Sequence, residues 1–186
     1  PCGTLFPYTT LFRSLVKLAG AGDLRKIGSG NTGATNVLRT GRKGLAAAVL
    51  LLDALKGGLP TALALAWFGP DMAKVVALAA VVGHCWPVYL GFDGGKGVAT
   101  SAGVVFALVP LAGAAALAGF AAVVWLTRYV SLGSLTACAV APLAAWALGW
   151  HQFVPVLAAV ALVVVVKHAA NIRRLLAGDE NKLGAS

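Results

Sequence analysis

The sequence has few charged residues, and acidic ones are the scarcest. Only 11% of its 186 residues are charged, with 6 Asp and Glu against 15 Lys and Arg, whereas 59% are apolar and the mean hydropathy is +0.85. Ordinary soluble domains are about 25% charged and about 45–50% apolar. This composition excludes a water-soluble globule and a disordered chain. We therefore expect an integral membrane protein.

Cysteine is also sparse, and its placement excludes two common kinds of site. Cys2, Cys85 and Cys138 show neither a CxxC motif nor paired spacing, and two of them lie in apolar runs. Such cysteines are typically small buried side chains. The cysteines therefore predict neither a disulfide framework nor a zinc site. The sequence offers no metal cluster either, and we expect neither a metal nor a cofactor.

Long apolar runs dominate the chain and predict an all-α, polytopic membrane helix bundle of about seven spans. The runs cover residues 45–68, 73–90, 98–127, 132–150 and 153–167. We expect residues 1–14 to be an atypical or foreign start. Residues 15–186 are predicted to form a single integral-membrane domain whose first span is truncated or replaced.

Charge placement decides how the run 98–127 is divided. As one helix, its 30 residues would be about 45 Å long, and Pro110 and Gly113 offer a break midway. Two short spans place Arg128 and the basic tail on the same side as the basic connector 21–44, which the positive-inside rule assigns to the cytoplasm. We therefore predict six spans from residue 45 onward, with the glycine-rich connectors facing the cytoplasm.

The connector 21–44 contains six glycines and five cations around the sequence GSGNTGATN. Glycines let backbone N–H groups approach an anion closely, and a helix beginning near Thr35 would add its positive end. A basic loop on anionic lipid headgroups is the alternative, but it explains the cations and not the GSGNTGATN core. We therefore predict phosphate binding. The candidate residues are Gly28, Ser29, Gly30, Asn31, Thr35, Asn36 and Arg39.

The connector 91–101 (GFDGGKGVATS) surrounds one lysine with four glycines. Lys96 can act as a point charge on a phosphate while the glycines expose backbone amides. The alternative is a plain turn between antiparallel helices, which rarely needs so many glycines. The candidate binding residues are Gly94, Gly95, Lys96 and Gly97.

The segment 167–183 holds a third polar cluster. His168 and Asn171 lie one helical turn apart and so share a helix face. A histidine at this position is either an interface anchor or part of a site. We expect Asp179 and Glu180 to pair with basic residues of the first connector, in a structural role.

Two charged residues and one histidine lie inside apolar runs. Asp53 and Lys56 are three positions apart, which permits an intrahelical ion pair, although intramembrane charges are also functional candidates. We predict the ion pair. His84 is predicted to be a hydrogen-bonded core histidine.

Several of these motifs occur together, in this order, in one family. They are GSGNTGATNVLR, LLDALKG, GHCWPVYLGFDGGKGVATS, RYVSLGS and HAANIRRLLAGDENKL. The chain resembles, over residues 15–186, the bacterial acyl-phosphate:glycerol-3-phosphate acyltransferases, which are integral inner-membrane enzymes of phospholipid synthesis.

The resemblance implies acyl transfer from acyl phosphate to the sn-1 hydroxyl of glycerol 3-phosphate, at the cytoplasmic face of the membrane. It implies essential roles for Ser29 and Arg39, a glycerol 3-phosphate site around Lys96, and a third motif of His168, Asn171 and Glu180. Thr100, Arg128 and Ser131 join the expected substrate-binding residues. The expected partners are glycerol 3-phosphate, acyl phosphate and membrane lipid, with no nucleic acid and no obligate protein partner.

A carrier for organic phosphates is the alternative function, but it needs polar residues along the spans, which are largely apolar here. A second alternative is a structural or lipid-anchoring membrane protein whose basic loops only meet anionic headgroups; it would tolerate replacement of Ser29 or Gly95, whereas a transferase would not. Acyl-CoA-dependent glycerol-phosphate acyltransferases use a His-x4-Asp pair, which is absent. The fifth residues after His84, His151 and His168 are Tyr89, Val156 and Arg173.

Overall fold

The computed structural model describes residues 34–38, 41–88 and 91–184, and helices are its regular elements throughout these ranges. The chain divides into two compact units, Pro1–Leu50 and Leu51–Ser186. The helices are α1 (Ala34–Leu38), α2 (Lys43–Cys85), α3 (Val98–Leu108), α4 (Pro110–Thr127), α5 (Val130–Ala147), α6 (Val154–Lys167) and α7 (Ala169–Ala177), with a 3₁₀ turn at His151–Phe153. The predicted all-α class is confirmed.

Two helical segments lie in the described part of the first unit. The five-residue α1 confirms that a helix begins near Thr35, and it buries Asn36 and Val37. The first turns of α2 follow, with Ala46 and Val49 buried.

In the second unit, α2 turns back on itself at Gly69. The backbone of Gly69 is non-helical, with φ 81° and ψ −176°, a conformation that is essentially restricted to glycine. Asp53 and His84 would lie about 46 Å apart in a straight helix, yet Asp53 Oδ1 and His84 Nδ1 are 3.8 Å apart. The two arms of α2 are therefore antiparallel, and the turn predicted from residue 69 onward is confirmed.

The run 98–127 is broken near the predicted position. Val109, with φ −143° and ψ 83°, separates α3 from α4, and Pro110 occupies the first turn of α4, where its missing N–H costs nothing. However, α3 has 11 residues and is about 17 Å long. That is little more than half of a hydrocarbon core of about 30 Å, so α3 does not span a bilayer by itself.

Three helices of the described chain, α2, α4 and α5, are long and apolar enough to cross a membrane. The segment His151–Lys167 and α7 form a pair bent by 61°, which raises the count to four when the pair is taken as one span. Because α2 doubles back at Gly69, each of its arms accounts for one predicted pass. The total of six passes from residue 45 onward stays a prediction.

Small residues allow the helices of the second unit to pack closely. A Cβ on Gly103 of α3 would overlap the carbonyl of Ala54 in α2, and one on Gly58 would overlap the backbone of Gly103. Close backbone approach of this kind is typical of helix packing in lipid. Large apolar side chains such as Trp67, Trp125 and Leu126 are mostly exposed instead, as expected of a lipid-facing surface.

The helix connections meet at two opposite ends of the second unit. Leu183 N donates to Arg128 O at 2.7 Å, and Lys96 Nζ donates to Asn171 Oδ1 at 2.5 Å, so three separate segments meet at one end. We call Gly91–Gly97, Arg128–Ser131 and His168–Leu183 the polar end. The far end consists of the turns at Gly69 and at Gly149–Phe153.

Candidate functional site

The Lys96 loop lies directly on the C-terminal end of α2. A Cβ on Gly94 would overlap the carbonyls of His84 and Cys85, and one on Gly95 would overlap the His84 imidazole. Gly97 has φ +82° and leads into α3. Each of the three glycines is therefore required by a close approach or by its backbone conformation. These requirements come from packing and backbone conformation, and phosphate binding by the loop stays a prediction.

Lys96 is connected to α7 by a chain of polar contacts. Its Nζ donates to Asn171 Oδ1 at 2.5 Å, and Asn171 Nδ2 donates to Glu180 Oε1 at 2.6 Å. Ser131 Oγ donates to the same Glu180 oxygen at 3.0 Å. The structure thus brings together three of the predicted site residues, Lys96, Asn171 and Ser131, with Glu180 as their common link.

Glu180 forms the centre of the polar end. Its Oε2 accepts from Arg174 Nε at 2.7 Å, and its side chain is only 6% exposed. The contact with Arg174 lies within one segment; the expected pairing with basic residues of the first connector falls largely on residues outside the described ranges and stays a prediction. Gly178, with φ +79°, ends α7, and Asp179 N donates back to Arg174 O at 2.9 Å. This turn brings Glu180 back alongside the helix it has just left.

The surroundings of Glu180 favour its charged form. Burial alone would raise its pKa, but hydrogen bonds from Asn171, Arg174 and Ser131, together with the charge of Arg174, outweigh burial and lower the pKa below the ordinary range of a glutamate. The carboxylate is therefore ionised at neutral pH, where it accepts these contacts.

His168 lies at the junction of α6 and α7 and is 2% exposed. Its Nδ1 is 2.8 Å from Val164 O. Because a carbonyl oxygen can only accept, Nδ1 carries the proton and Nε2 of the neutral ring is unprotonated. The ring therefore presents a basic nitrogen within a buried environment, beside the helix that carries Asn171.

Other predicted residues occupy different settings. Thr100, on the first turn of α3, is completely buried, and its Oγ1 has no hydrogen-bond partner within the described ranges. The exposed Arg128 contributes its backbone carbonyl to the contact with Leu183. Thr35 and Asn36 lie on α1 in the first unit. Gly28, Ser29, Gly30, Asn31 and Arg39 lie outside the described residues.

Arg174 is a residue of this end that sequence reasoning missed. It lies six positions before Glu180, a spacing that no simple helical pairing rule selects. The available signal was Gly178, because a glycine that ends a helix in the left-handed conformation folds the following residues back. The predicted Asp53–Lys56 ion pair is confirmed at 2.5 Å. His84 is mostly buried, 3.8 Å from Asp53.

No group of three or more His, Cys, Asp or Glu side chains suited to a metal ion occurs among the residues that the structure describes. Within those residues, the polar end offers instead cationic donors, backbone amides and one imidazole. Such groups neutralise a phosphate and accept a proton.

Comparison with known proteins identifies relatives over nearly the whole chain. The family model described as glycerol-3-phosphate acyltransferase matches residues 10–178. A glycerol-3-phosphate acyltransferase of Methylorubrum extorquens (strain PA1) is 54% identical over 175 residues, covering 91% of this chain and 84% of the relative. One of Sinorhizobium fredii (strain NBRC 101917 / NGR234) is 51% identical over 170 residues, with coverage of 91% and 83%.

Two crystal structures of PlsY, an integral membrane glycerol 3-phosphate acyltransferase, share this fold. The glycerol 3-phosphate form has a TM-score of 0.89 and 39% identity, covering 95% of this chain and 90% of that one. The lysophosphatidic acid form has a TM-score of 0.85 and 36% identity, with coverage of 94% and 88%. This chain therefore belongs to the glycerol-3-phosphate acyltransferase family and is an integral membrane acyltransferase.

Proposed function

We propose that the polar end binds glycerol 3-phosphate and acyl phosphate and transfers the acyl group to the sn-1 hydroxyl. The products are lysophosphatidic acid and inorganic phosphate. The observation that carries this proposal is the glycine-built loop that holds Lys96 at hydrogen-bond distance from Asn171. The glycerol 3-phosphate and lysophosphatidic acid forms of the PlsY structures support the choice of acceptor and product.

The reaction requires charge neutralisation more than it requires a strong nucleophile. Acyl phosphate is a mixed anhydride and is already activated. The sn-1 oxygen attacks the acyl carbon, the bond from that carbon to the phosphate oxygen breaks, and phosphate leaves with its electron pair. Lys96 and the amides of Gly94, Gly95 and Gly97 would bind phosphate oxygens, which fixes the acceptor hydroxyl near the acyl carbon.

The hydroxyl proton needs an acceptor, and His168 is a candidate among the residues that the structure describes. His168 has an unprotonated Nε2 because Val164 O takes the Nδ1 proton. The phosphate of the substrate is the other possible acceptor. For the first connector, the proposal is phosphate binding by Ser29, Thr35, Asn36 and Arg39, as its composition predicts.

We further propose that the polar end faces the cytoplasm of the bacterial inner membrane. The cations Arg128, Lys167, Arg173, Arg174 and Lys182 all lie at or beside it. An excess of Lys and Arg marks the cytoplasmic side of a membrane protein. The apolar spans would hold the acyl chain.

The donor is tested with the purified, detergent-solubilised chain, given glycerol 3-phosphate and either acyl phosphate or acyl-CoA. We expect lysophosphatidic acid from acyl phosphate alone, with one phosphate released for each molecule formed. Product from acyl-CoA, or phosphate release without glycerol 3-phosphate, would contradict the proposal. In proteoliposomes, uptake of glycerol 3-phosphate without lysophosphatidic acid formation would favour the carrier instead.

A further inference from the structure

A polar cluster of Asp53, Lys56 and His84 lies next to the Lys96 loop and has been given no role in the proposed reaction. Asp53 Oδ1 accepts from Lys56 Nζ at 2.5 Å and lies 3.8 Å from His84 Nδ1. Asp53 and Lys56 belong to the first arm of α2 and His84 to the second. The cluster therefore joins the two arms close to where α2 ends.

His84 lies directly beneath the loop. A Cβ on Gly95 would meet three atoms of the imidazole, Nε2, Cε1 and Cδ2. Gly94 approaches the carbonyls of His84 and Cys85. The imidazole therefore has one nitrogen facing Asp53 and the other facing the backbone next to Lys96. A rotation of this ring would displace the loop.

The same helix contains a second ion pair that shows what proximity to the loop adds. Asp71 and Lys74 have the same spacing and a similar separation, 2.7 Å between Asp71 Oδ1 and Lys74 Nζ. That pair is near Gly69 at the far end, and the side chains of Asp71 and Lys74 are 97% and 29% exposed. The side chains of Asp53 and Lys56 are 22% and 30% exposed, so the two pairs differ at the aspartate and not at the lysine. Removing a charge from water costs free energy in a membrane protein. Pairing with an opposite charge offsets that cost, but it does not explain why the two charges are present.

We propose that Asp53, held by Lys56, is a positioning residue that orients the His84 imidazole and thereby places the Lys96 loop for glycerol 3-phosphate. This inference rests on the proposed binding of glycerol 3-phosphate at that loop. Asp53 and His84 touch neither substrate; they act through the backbone of Gly94 and Gly95. Their effect is therefore expected in the affinity for glycerol 3-phosphate.

The experiment measures KM for both substrates and kcat in Asp53→Asn, His84→Gln and the double variant. We expect Asp53→Asn to raise KM for glycerol 3-phosphate about tenfold, with kcat and the donor KM changed less than about twofold. Asp53→Glu is expected to recover most of the affinity. Because Asp53 acts through His84, the double variant is expected to be no worse than His84→Gln alone.

Asp71→Asn is the matched control, because it breaks the same kind of pair in the same helix away from the loop. We expect its KM for glycerol 3-phosphate to equal that of the unmodified enzyme. If Asp53→Asn does not fold, Asp53→Asn/Lys56→Gln removes both charges together, and the same rise in KM is expected of it.

A second readout does not depend on turnover. The glycerol 3-phosphate concentration that half-saturates the rise in Tm reports binding directly, and it is expected to increase about tenfold in Asp53→Asn. A lower Tm of Asp53→Asn without a change in its KM for glycerol 3-phosphate would overturn the inference. So would a double variant whose rise in KM is the product of the rises in Asp53→Asn and His84→Gln. In both of these outcomes the unmodified enzyme is active. If instead the proposed function is wrong, the unmodified enzyme is inactive with acyl phosphate and with acyl-CoA.

Discussion

The two ends of the second unit contain similar local features, but these features have different surroundings. Each has a glycine with positive φ and a nearby Asp–Lys pair, Asp53–Lys56 at one end and Asp71–Lys74 at the other. At the far end the pair is local to one stretch of α2, and the Asp71 side chain is 97% exposed. At the polar end, residues far apart in sequence are joined by hydrogen bonds. The comparison shows that convergence of separate segments, and not an ion pair or glycine by itself, distinguishes the polar end, where we propose the active site.

Apart from removal of Lys96 itself, the largest effect is expected from adding one methyl group beneath the Lys96 loop. In Gly95→Ala the new Cβ would overlap the His84 imidazole, so the loop must move. A displacement of about 1 Å at a substrate-positioning group can cost about a hundredfold in rate. We expect kcat/KM for glycerol 3-phosphate to fall by about that factor in a steady-state assay.

Gly83→Ala is the control for this change. A Cβ on Gly83, in the same helix, meets no described atom within 4 Å, and alanine is the better helix former. We expect unchanged kinetics and equal or higher Tm. Equal losses in Gly83→Ala and Gly95→Ala would contradict the role assigned to the loop.

A smaller effect is expected when the central carboxylate loses its charge. In Glu180→Gln, the side chain keeps its size but loses the ion pair with Arg174, and its NH2 group cannot accept a hydrogen bond. We expect kcat/KM to fall about tenfold, corresponding to about 1.4 kcal/mol. The measurement is a pH series from neutral to acidic conditions.

The pH dependence has a defined sign. Because the pKa of Glu180 is lowered in the folded state, its stabilising contribution is complete above the ordinary pKa of a glutamate and is lost as the pH falls through the lowered value. Protonation of Glu180 at acidic pH is expected to lower activity or Tm. This decrease is therefore expected to be absent in Glu180→Gln. An identical acid-side loss in both proteins would show that Glu180 does not hold the polar end together.

The smallest kinetic effect is expected at the far end, where a substitution can still destabilise the fold. Gly69 has φ 81° and ψ −176°, so Gly69→Ala strains the turn by about 1–3 kcal/mol. We expect a lower Tm in detergent and an unchanged KM for glycerol 3-phosphate. A change in KM as large as that of Gly95→Ala would remove the distinction between the two ends.

Local sequence signals predicted most of the helical framework. Pro110 predicted the break between α3 and α4, and Asp53 and Lys56 pair as their three-residue spacing indicated. These features depend on residues within a few positions of one another, where backbone geometry alone limits the outcome.

The contacts that assemble the polar end were harder to predict. Lys96 and Asn171 are 75 positions apart, and Ser131 and Glu180 are 49 apart. Their hydrogen bonds depend on how four helices pack, which no spacing rule supplies. Arg174 was missed for the same reason, because its partnership with Glu180 follows from the turn at Gly178.

The most direct test of the polar end as the active site compares two lysines. Lys96→Met and Lys74→Met each remove one ammonium group of the same chain, the first bonded to Asn171 and the second to Asp71. We predict that kcat/KM for glycerol 3-phosphate falls at least about a hundredfold in Lys96→Met and changes less than about twofold in Lys74→Met. Retained activity in Lys96→Met, or equal losses in the two variants, would contradict the account.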